Sequence, residues 1–342
     1  MTRKERVQAA LAKKEVDRIP VSVWMHFSKY DQDSRSLAEC MVEFNEMYDY
    51  DFIKLMPFGA YTTPDWGAKL DIFCDKYKEV VISAPGIEDI EDYYRIKALA
   101  PTHGTWGKQL QLAEYMAKMV RKDTPFVQTV FTPMTTLRKL AGNRLTDDIK
   151  KSPEAVHSAL VEVTKTTVDF IKACINTGVS GFFLATQCAS FDYMSVEEHA
   201  EFCKPYDLQV LNSFKNDTYF NILHIHGSNT MFDAVKEYPV NCLSWHDRFE
   251  GEPDFRAAAK ISDKAFLGGI KEAPTVVNGV LHYSSFLTAS TPTQVKEHIK
   301  EAIEMIDGGK GLLIGPGCVA DPRVSPENLK AVREAVEQYK TV

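Results

Sequence analysis

The chain has 342 residues, 44% of them hydrophobic and 25% charged, an ordinary globular composition that excludes collagen, coiled coil and wholesale disorder. Its 47 acidic and 40 basic residues leave a formal net charge of −7, and no Lys/Arg block stands out, which argues against a nucleic-acid or anionic-membrane surface. Seven cysteines scattered from Cys40 to Cys318 make no disulfide framework, no apolar run approaches the roughly 18 residues of a membrane span, and the opening 1–10 lacks the apolar core of a secretion signal; the expectation is a cytoplasmic protein.

Short β-rich apolar runs alternate with stretches of helical period along the chain. The candidate strands are 19–24, 51–56, 126–131, 181–186, 219–225, 240–245, 265–270 and 311–315, eight in all. Helix starts lie between them: Ser195 with Glu198 and Thr291 with Gln294 read as capping boxes, and Ser152-Pro153 and Ser325-Pro326 place Pro at a first helical position. After Thr291, Val295, Ile299, Ala302, Ile303 and Ile306 share one helical face, as do Leu329, Val332, Val336 and Tyr339 in the last helix.

Eight strand-helix units without a Pro/Gly/Ser-rich linker predict one α/β domain over 1–342, a (β/α)8 TIM barrel with additional N-terminal helices. A doubly wound open sheet is the alternative, but no strand is followed by a Gly-x-Gly-x-x-Gly turn or a P-loop. The span 57–124 is too long for one crossover helix and predicts an insertion after the second strand, a hairpin with extra helices over the barrel mouth.

In such a barrel the chemistry lies at the C-terminal ends of the strands. The fifth run ends in Leu223-His224-Ile225-His226, and side chains two apart on a strand point the same way. The eighth ends in Gly315-Pro316-Gly317-Cys318, so two imidazoles and a thiol can face one site, three ligands with an open position as in catalytic zinc centres. Hydrogen bonding to other site residues, substrate recognition or plain packing would equally suit such residues. The sixth run leads into His246, Asp247 and Arg248; His246 or Asp247 serves as a fourth ligand, an acid/base group or a ligand orienter, or else Asp247 and Arg248 simply pair. Glu272, after the seventh, either coordinates, accepts a proton or is a solvated loop carboxylate. Trp24 and His26 after the first run, Phe58 and Tyr61 after the second, and Gln187 after the fourth suggest a substrate pocket with an apolar wall, although core packing explains the large rings as well.

The opening Arg3-Lys4-Glu5-Arg6-Val7 with Ala10-Leu11, the run Val16-Asp17-Arg18-Ile19-Pro20-Val21, then Asp51-Phe52-Ile53-Lys54, Phe131-Thr132-Pro133 and Leu140-Ala141-Gly142 recur in one known order, completed by Gly315-Pro316-Gly317-Cys318 and Ser325-Pro326-Glu327-Asn328-Leu329. Over nearly its whole length the chain resembles the uroporphyrinogen decarboxylase superfamily, notably the zinc-dependent corrinoid methyltransferase branch that includes the coenzyme M methyltransferases. The resemblance implies a (β/α)8 barrel. In true decarboxylases an Arg-bearing segment follows the first strand and binds the porphyrinogen carboxylates; residues 21–27, VSVWMHF, carry no Arg, which speaks against a tetrapyrrole with many carboxylates. In the methyltransferase branch zinc is held by His-x-Cys after the fifth strand and Cys after the eighth. His224, His226 and Cys318 match this set with imidazole in place of the middle thiolate.

One thiolate with two neutral imidazoles leaves zinc a stronger Lewis acid than two thiolates would, which suits an oxygen ligand. The expected function is methyl transfer between a small methylated, most naturally methoxylated, compound and a corrinoid. No Asp-x-His-x-x-Gly cobalamin motif occurs, so the corrinoid is expected on a partner protein. A metal-free decarboxylase or lyase of the same barrel, and a non-catalytic ligand-binding barrel, are the competing readings.

Overall fold

Apolar strands and amphipathic helices assemble, in a computed structural model that describes residues 1–272, 275–277, 280–282, 285–337 and 339, around a curled parallel sheet. In chain order α1 (Arg3–Leu11) and α2 (Ser34–Tyr48) precede β1 (Ile53–Lys54), and β2 (Lys69–Asp71), β3 (Val81–Ala84), α3 (Ile90–Arg95) and α4 (Gly104–Met119) lead to β4 (Phe126–Phe131). Next come α5 (Pro133–Ala141), α6 (Leu145–Lys151), α7 (Pro153–Ile175), β5 (Gly181–Thr186), α8 (Val196–Phe202), α9 (Lys204–Asn212), β6 (Ile222–Ile225), α10 (Phe232–Val235) and β7 (Cys242–Trp245). The chain continues through α11 (Phe255–Ala258), β8 (Ala265–Ile270), β9 (Thr275–Val277), β10 (Val280–His282), α12 (Phe286–Ala289), α13 (Pro292–Glu304), β11 (Leu312–Pro316) and α14 (Pro326–Ala335).

The main sheet has seven strands in the order β1-β4-β5-β6-β7-β8-β11, all paired parallel. Every residue of these strands is buried, as expected where helices pack outside a parallel sheet and side chains fill its inside. Hence they read as continuous apolar runs with no alternation.

The first expected strand, 19–24, is not a regular one. It makes single parallel bridges, Val21 to Ile314 and Met25 to Ala320. On one side Ser22 N donates to Ile314 O (3.0 Å) and Ile314 N to Pro20 O (2.9 Å); on the other Asp51 N donates to Val21 O (2.8 Å) and Ser22 Oγ to Phe52 O (2.7 Å). The segment thus runs between the two edge strands of the sheet, and Pro20, which has no N–H, removes one rung of a regular ladder. The second expected strand shrinks to β1 alone. The span 57–124 contains the antiparallel pair β2 and β3 with α3 and α4, and both capping boxes form. Ser325 caps α14 through Asn328 N, whereas Ser152 makes no side-chain cap. Among the described residues no helix is long and apolar enough to cross a membrane.

Charges at the N-terminal side are held in a buried network. Asp51 is fully buried and accepts from Arg6 Nη1 (2.7 Å), from Arg18 Nη1 and Nη2 (2.5 and 2.9 Å) and from Val21 N (2.8 Å). Arg6 also pairs with Asp17 (2.7 Å), and Arg3 bonds Asp49 and Thr124. This is where the N-terminal residues of the family pattern meet. A buried carboxylate is tolerated only with its charge and lone pairs answered, and removing it strands the arginines. Asp51→Ala should therefore destabilise the protein by ~3–5 kcal/mol in urea denaturation, whereas Asp233→Ala, whose side chain is 83% exposed in its pair with Lys236, should change stability by under ~0.5 kcal/mol.

Asp207 in α9 is the opposite case, fully buried with one oxygen lacking a partner and Tyr238 Oη 3.4 Å from the other. Burial pushes its carboxyl up to about 8; Tyr238, Cys188 and Cys203 are the titratable groups around it. Between pH ~4, where the unfolded carboxyl ionises, and pH about 8 the folded protein holds the extra proton, so stability falls as pH rises through that window. Asp207→Asn should flatten the melting temperature between pH 5 and 8, on the order of a few kcal/mol in stability at the upper end, and an unchanged slope would show that this carboxyl is not the source.

Candidate active site

The ends of β6, β7 and β11 bring together four side chains that could hold a metal ion. His224 lies in β6 and His226 one residue beyond it, so the strand's period of two turns both rings to one side. His226 N donates to Thr186 O (3.0 Å), which extends the β5–β6 pairing by one rung. His246 follows β7 and Cys318 follows β11. One donor atom from each of His224, His226, His246 and Cys318 lies within 4.8 Å of all the others. Cys318 Sγ is 3.5 Å from His226 Nδ1, and His224 Nδ1 is 3.3 Å from Ser244 Oγ, its register neighbour on β7.

The remaining ring nitrogens define the chemistry. His224 Nε2 and His246 Nε2 are buried and have no hydrogen-bond partner in the protein, which is costly unless something fills the site. Burial, reinforced by the neighbouring imidazoles and Lys54, holds His224 well below the usual histidine range. Burial and His246, with Lys139 and Arg138, bring His226 down to about 3. Both rings are therefore neutral near pH 7, with lone pairs available. Burial pushes the Cys318 thiol up to about 12, Glu272 adding to the effect and Lys54 opposing it, so its thiolate needs a cation beside it. Three imidazoles and one thiol at this spacing fit a tetrahedral zinc ion.

Around the cluster sit two buried carboxylates. Glu272 Oε1 is in contact with His246 Nδ1. A Cβ on Gly317 would lie 2.6 Å from Glu272 Oε2, so glycine there makes room for this carboxylate. Asp247 Oδ1 accepts from Gly269 N (2.9 Å). Burial raises Asp247 to about 7, with the Gly269 bond opposing and Glu272 adding to the rise.

A cavity of about 320 Å³ opens onto His224, His226 and Cys318, with His26, Lys54, Glu79, Lys139, Phe183 and Gln187 among its walls. An adjoining cavity of about 250 Å³ shares His26 and Glu79 and reaches Glu272 and Arg323. Of the residues expected to bind substrate, His26 and Gln187 line the larger cavity and Trp24, Phe58 and Tyr61 do not. Trp24 lies beneath it, its ring edge-on to Phe183 (5.9 Å between centroids) and its Nε1 on the carbonyl of Cys318. Phe58 is buried in the core. Tyr61 is fully buried, donates to Thr129 O (3.0 Å) and packs on Trp106. The apolar wall consists of Met56, Phe131 and Phe183 instead.

Lys54, Glu79 and Lys139 were not expected in the site. Lys54 left a trace in the sequence, a lone cation inside the apolar run 51–56 on the same side as Met56. Lys139, in the last turn of α5, and Glu79, in the β2–β3 turn, left none.

A profile of the family described as Uroporphyrinogen decarboxylase (URO-D) matches residues 2–339. The chain is 22% identical to the methylcobamide:CoM methyltransferase MtbA of Methanosarcina acetivorans, over 99% of this chain and 98% of the relative. It is 21% identical to the MtbA of Methanosarcina mazei, with the same coverage. Among solved structures, a methyltransferase from Methanosarcina mazei superposes with a TM-score of 0.81 at 19% identity over 98% of both chains. A B12-independent methionine synthase from Shewanella sp. W3-18-1 in complex with selenomethionine reaches 0.55 at 13% identity over 92% of both. At such identities the structural likenesses establish a shared fold.

Proposed function

The chain belongs to the uroporphyrinogen decarboxylase (URO-D) family, and from that premise we propose that it is a zinc-dependent methyltransferase. It moves a methyl group between a small methylated compound, most naturally a methoxylated one, and a corrinoid carried by a partner protein, as in O-demethylase systems. The main sheet together with the segment 19–25 is read as the (β/α)8 barrel of this family, with the span 57–124 as the insertion beside its mouth. The observation that carries the proposal is the cluster of His224, His226, His246 and Cys318 donors within 4.8 Å, with two buried ring nitrogens unpartnered and a cavity opening on it. The full-length likeness to methylcobamide:CoM methyltransferases supports the reaction class.

His224, His226 and Cys318 would hold the zinc ion, with His246 within ligating reach of the same position. Zinc in this donor set supplies a Lewis acid with one positive charge uncancelled, which lowers the free energy of the alkoxide or phenolate that departs when the C–O bond breaks. The protein's own residues do the rest. Ser244 orients His224 through Nδ1. Glu272, in contact with His246 Nδ1, orients that ring so that Nε2 faces the cluster. Asp247, tied to Gly269 N, fixes the turn that carries His246. Phe131, Phe183 and Met56 hold the organic body and exclude water from the leaving group. As the methyl passes to Co(I) the bonding pair stays on oxygen. That oxygen then takes up a proton from solvent, which Glu272, facing the adjoining cavity, is placed to relay.

Purified protein is expected to contain about one zinc ion per chain, lost in both His226→Ala and Cys318→Ala as measured by elemental analysis; a wild type that stays metal-free after zinc loading would overturn the proposal. With a Co(I) corrinoid, methoxyarenes should be demethylated at least about tenfold faster than methanol because only they fill the apolar wall. Equal rates would count against a methoxylated aromatic donor. Glu272→Gln should keep zinc and lose about 10²-fold in rate.

A further inference from the structure

The described residues of the protein keep most buried charges paired, and the cavity contains an exception. At the opposite end of the sheet Arg6 and Arg18 both reach Asp51, and Arg3 reaches Asp49. Lys54 in β1 is only 6% exposed, yet its Nζ meets no carboxylate within ion-pair distance among the described residues. Its neighbours are Met56 Sδ (2.7 Å) and the rings of Phe183 (4.4 Å to the centroid) and Trp24 (5.7 Å). Lys139, on α5, likewise has a ring as its neighbour, Phe131 at 4.8 Å. Both lysines line the 320 Å³ cavity.

Among the described residues Glu79 is the one carboxylate that lines that cavity. Its side chain is 61% exposed and lies 3.6 Å from His26 Nε2 rather than on either lysine. The cavity therefore carries two amines against one peripheral acid, with neutral imidazoles at its base. A sulfur and aromatic faces soften the burial of an ammonium but do not match a carboxylate as partner. Burial draws Lys54 down to about 7 and, together with Arg138, Lys139 down to about 8; an arriving anion would reverse both changes.

Resting on the methyl-transfer reading above, we infer that Lys54 and Lys139 form an anion-binding pair, and that the small methylated partner of this enzyme is an organic carboxylate. Its carboxylate sits between the two amines, its apolar body lies against Phe131, Phe183 and Met56, and its methylated atom reaches the His/Cys cluster. A cavity of 320 Å³ is at the small end of ligand sites and suits a single ring or a short chain. The pair also supplies selectivity, because a neutral methylated compound leaves both amines unanswered.

The test is calorimetric titration of the zinc-loaded full chain, without corrinoid, using 4-methoxybenzoate and its neutral counterpart 4-methoxybenzamide. The benzoate should bind at least about tenfold more tightly than the amide. Lys54→Gln and Lys139→Gln should each weaken the benzoate about tenfold or more and leave the amide unchanged, with zinc content and melting temperature confirming an intact fold. Equal affinities for the two probes in the wild type, which needs no variant to interpret, would overturn the inference. So would benzoate binding that survives the double replacement and disappears with Cys318→Ala, since the anion would then sit on the metal. Because the readout is binding, its failure is separable from failure of methyl transfer. Charge-selective binding without transfer to Co(I) would sink the reaction and leave the lysine pair standing, and equal transfer rates from charged and neutral donors would do the reverse.

Discussion

The buried carboxylate of Asp51 is the constraint on which the rest of the architecture depends. One side chain, with no exposure, binds α1 through Arg6, the segment after it through Arg18 and Val21 N, and belongs itself to the lead-in of β1. Those bonds hold 19–25 between β1 and β11, where a regular strand is weakened by Pro20. The far end of the same segment then reaches the site: Trp24 O accepts from Ala320 N (3.0 Å), and Trp24 Nε1 meets the carbonyl of Cys318. An ion cluster at one end of a short extended segment thus fixes the height of a thiol at the other.

Parallel pairing supplies the second half of the geometry. Because β6, β7, β8 and β11 are consecutive neighbours in the sheet and run the same way, residues just past their ends arrive on one rim. His226, His246, Glu272 and Cys318 do so from four different strands, and His224 joins them from the last turn of the pleat in β6. Burial then acts in one direction on the bases and the opposite on the acids. It keeps His224 and His226 neutral and the Cys318 thiol protonated, and it raises Asp247, an environment that favours a cation at its floor.

The two ends of the sheet differ in how charge is treated. At the Asp51 end, arginines and carboxylates answer each other and the result is rigidity. At the cavity end, lysines on short contacts with sulfur and rings meet no carboxylate among the described residues. Binding at that end is the arrangement's natural completion, with the protein's folding free energy bearing the burial of the amines.

Local chemistry determined much of this from the sequence. Capping residues fixed the starts of α8 and α13, unbroken apolar runs located the buried parallel strands, and the i, i+2 spacing of His224 and His226 placed both rings on one side whatever the rest of the fold. Tertiary structure decided the remainder. Trp24, Phe58 and Tyr61 read equally well as pocket wall or core, because hydrophobicity records that a ring leaves water and not which surface it meets. Convergence of His246 with Cys318, 72 residues apart in the sequence, depends on β8 pairing with both β7 and β11. Lys139 faces the cavity only because α5 packs where it does. Such meetings depend on register and packing between distant segments, and no local propensity encodes them.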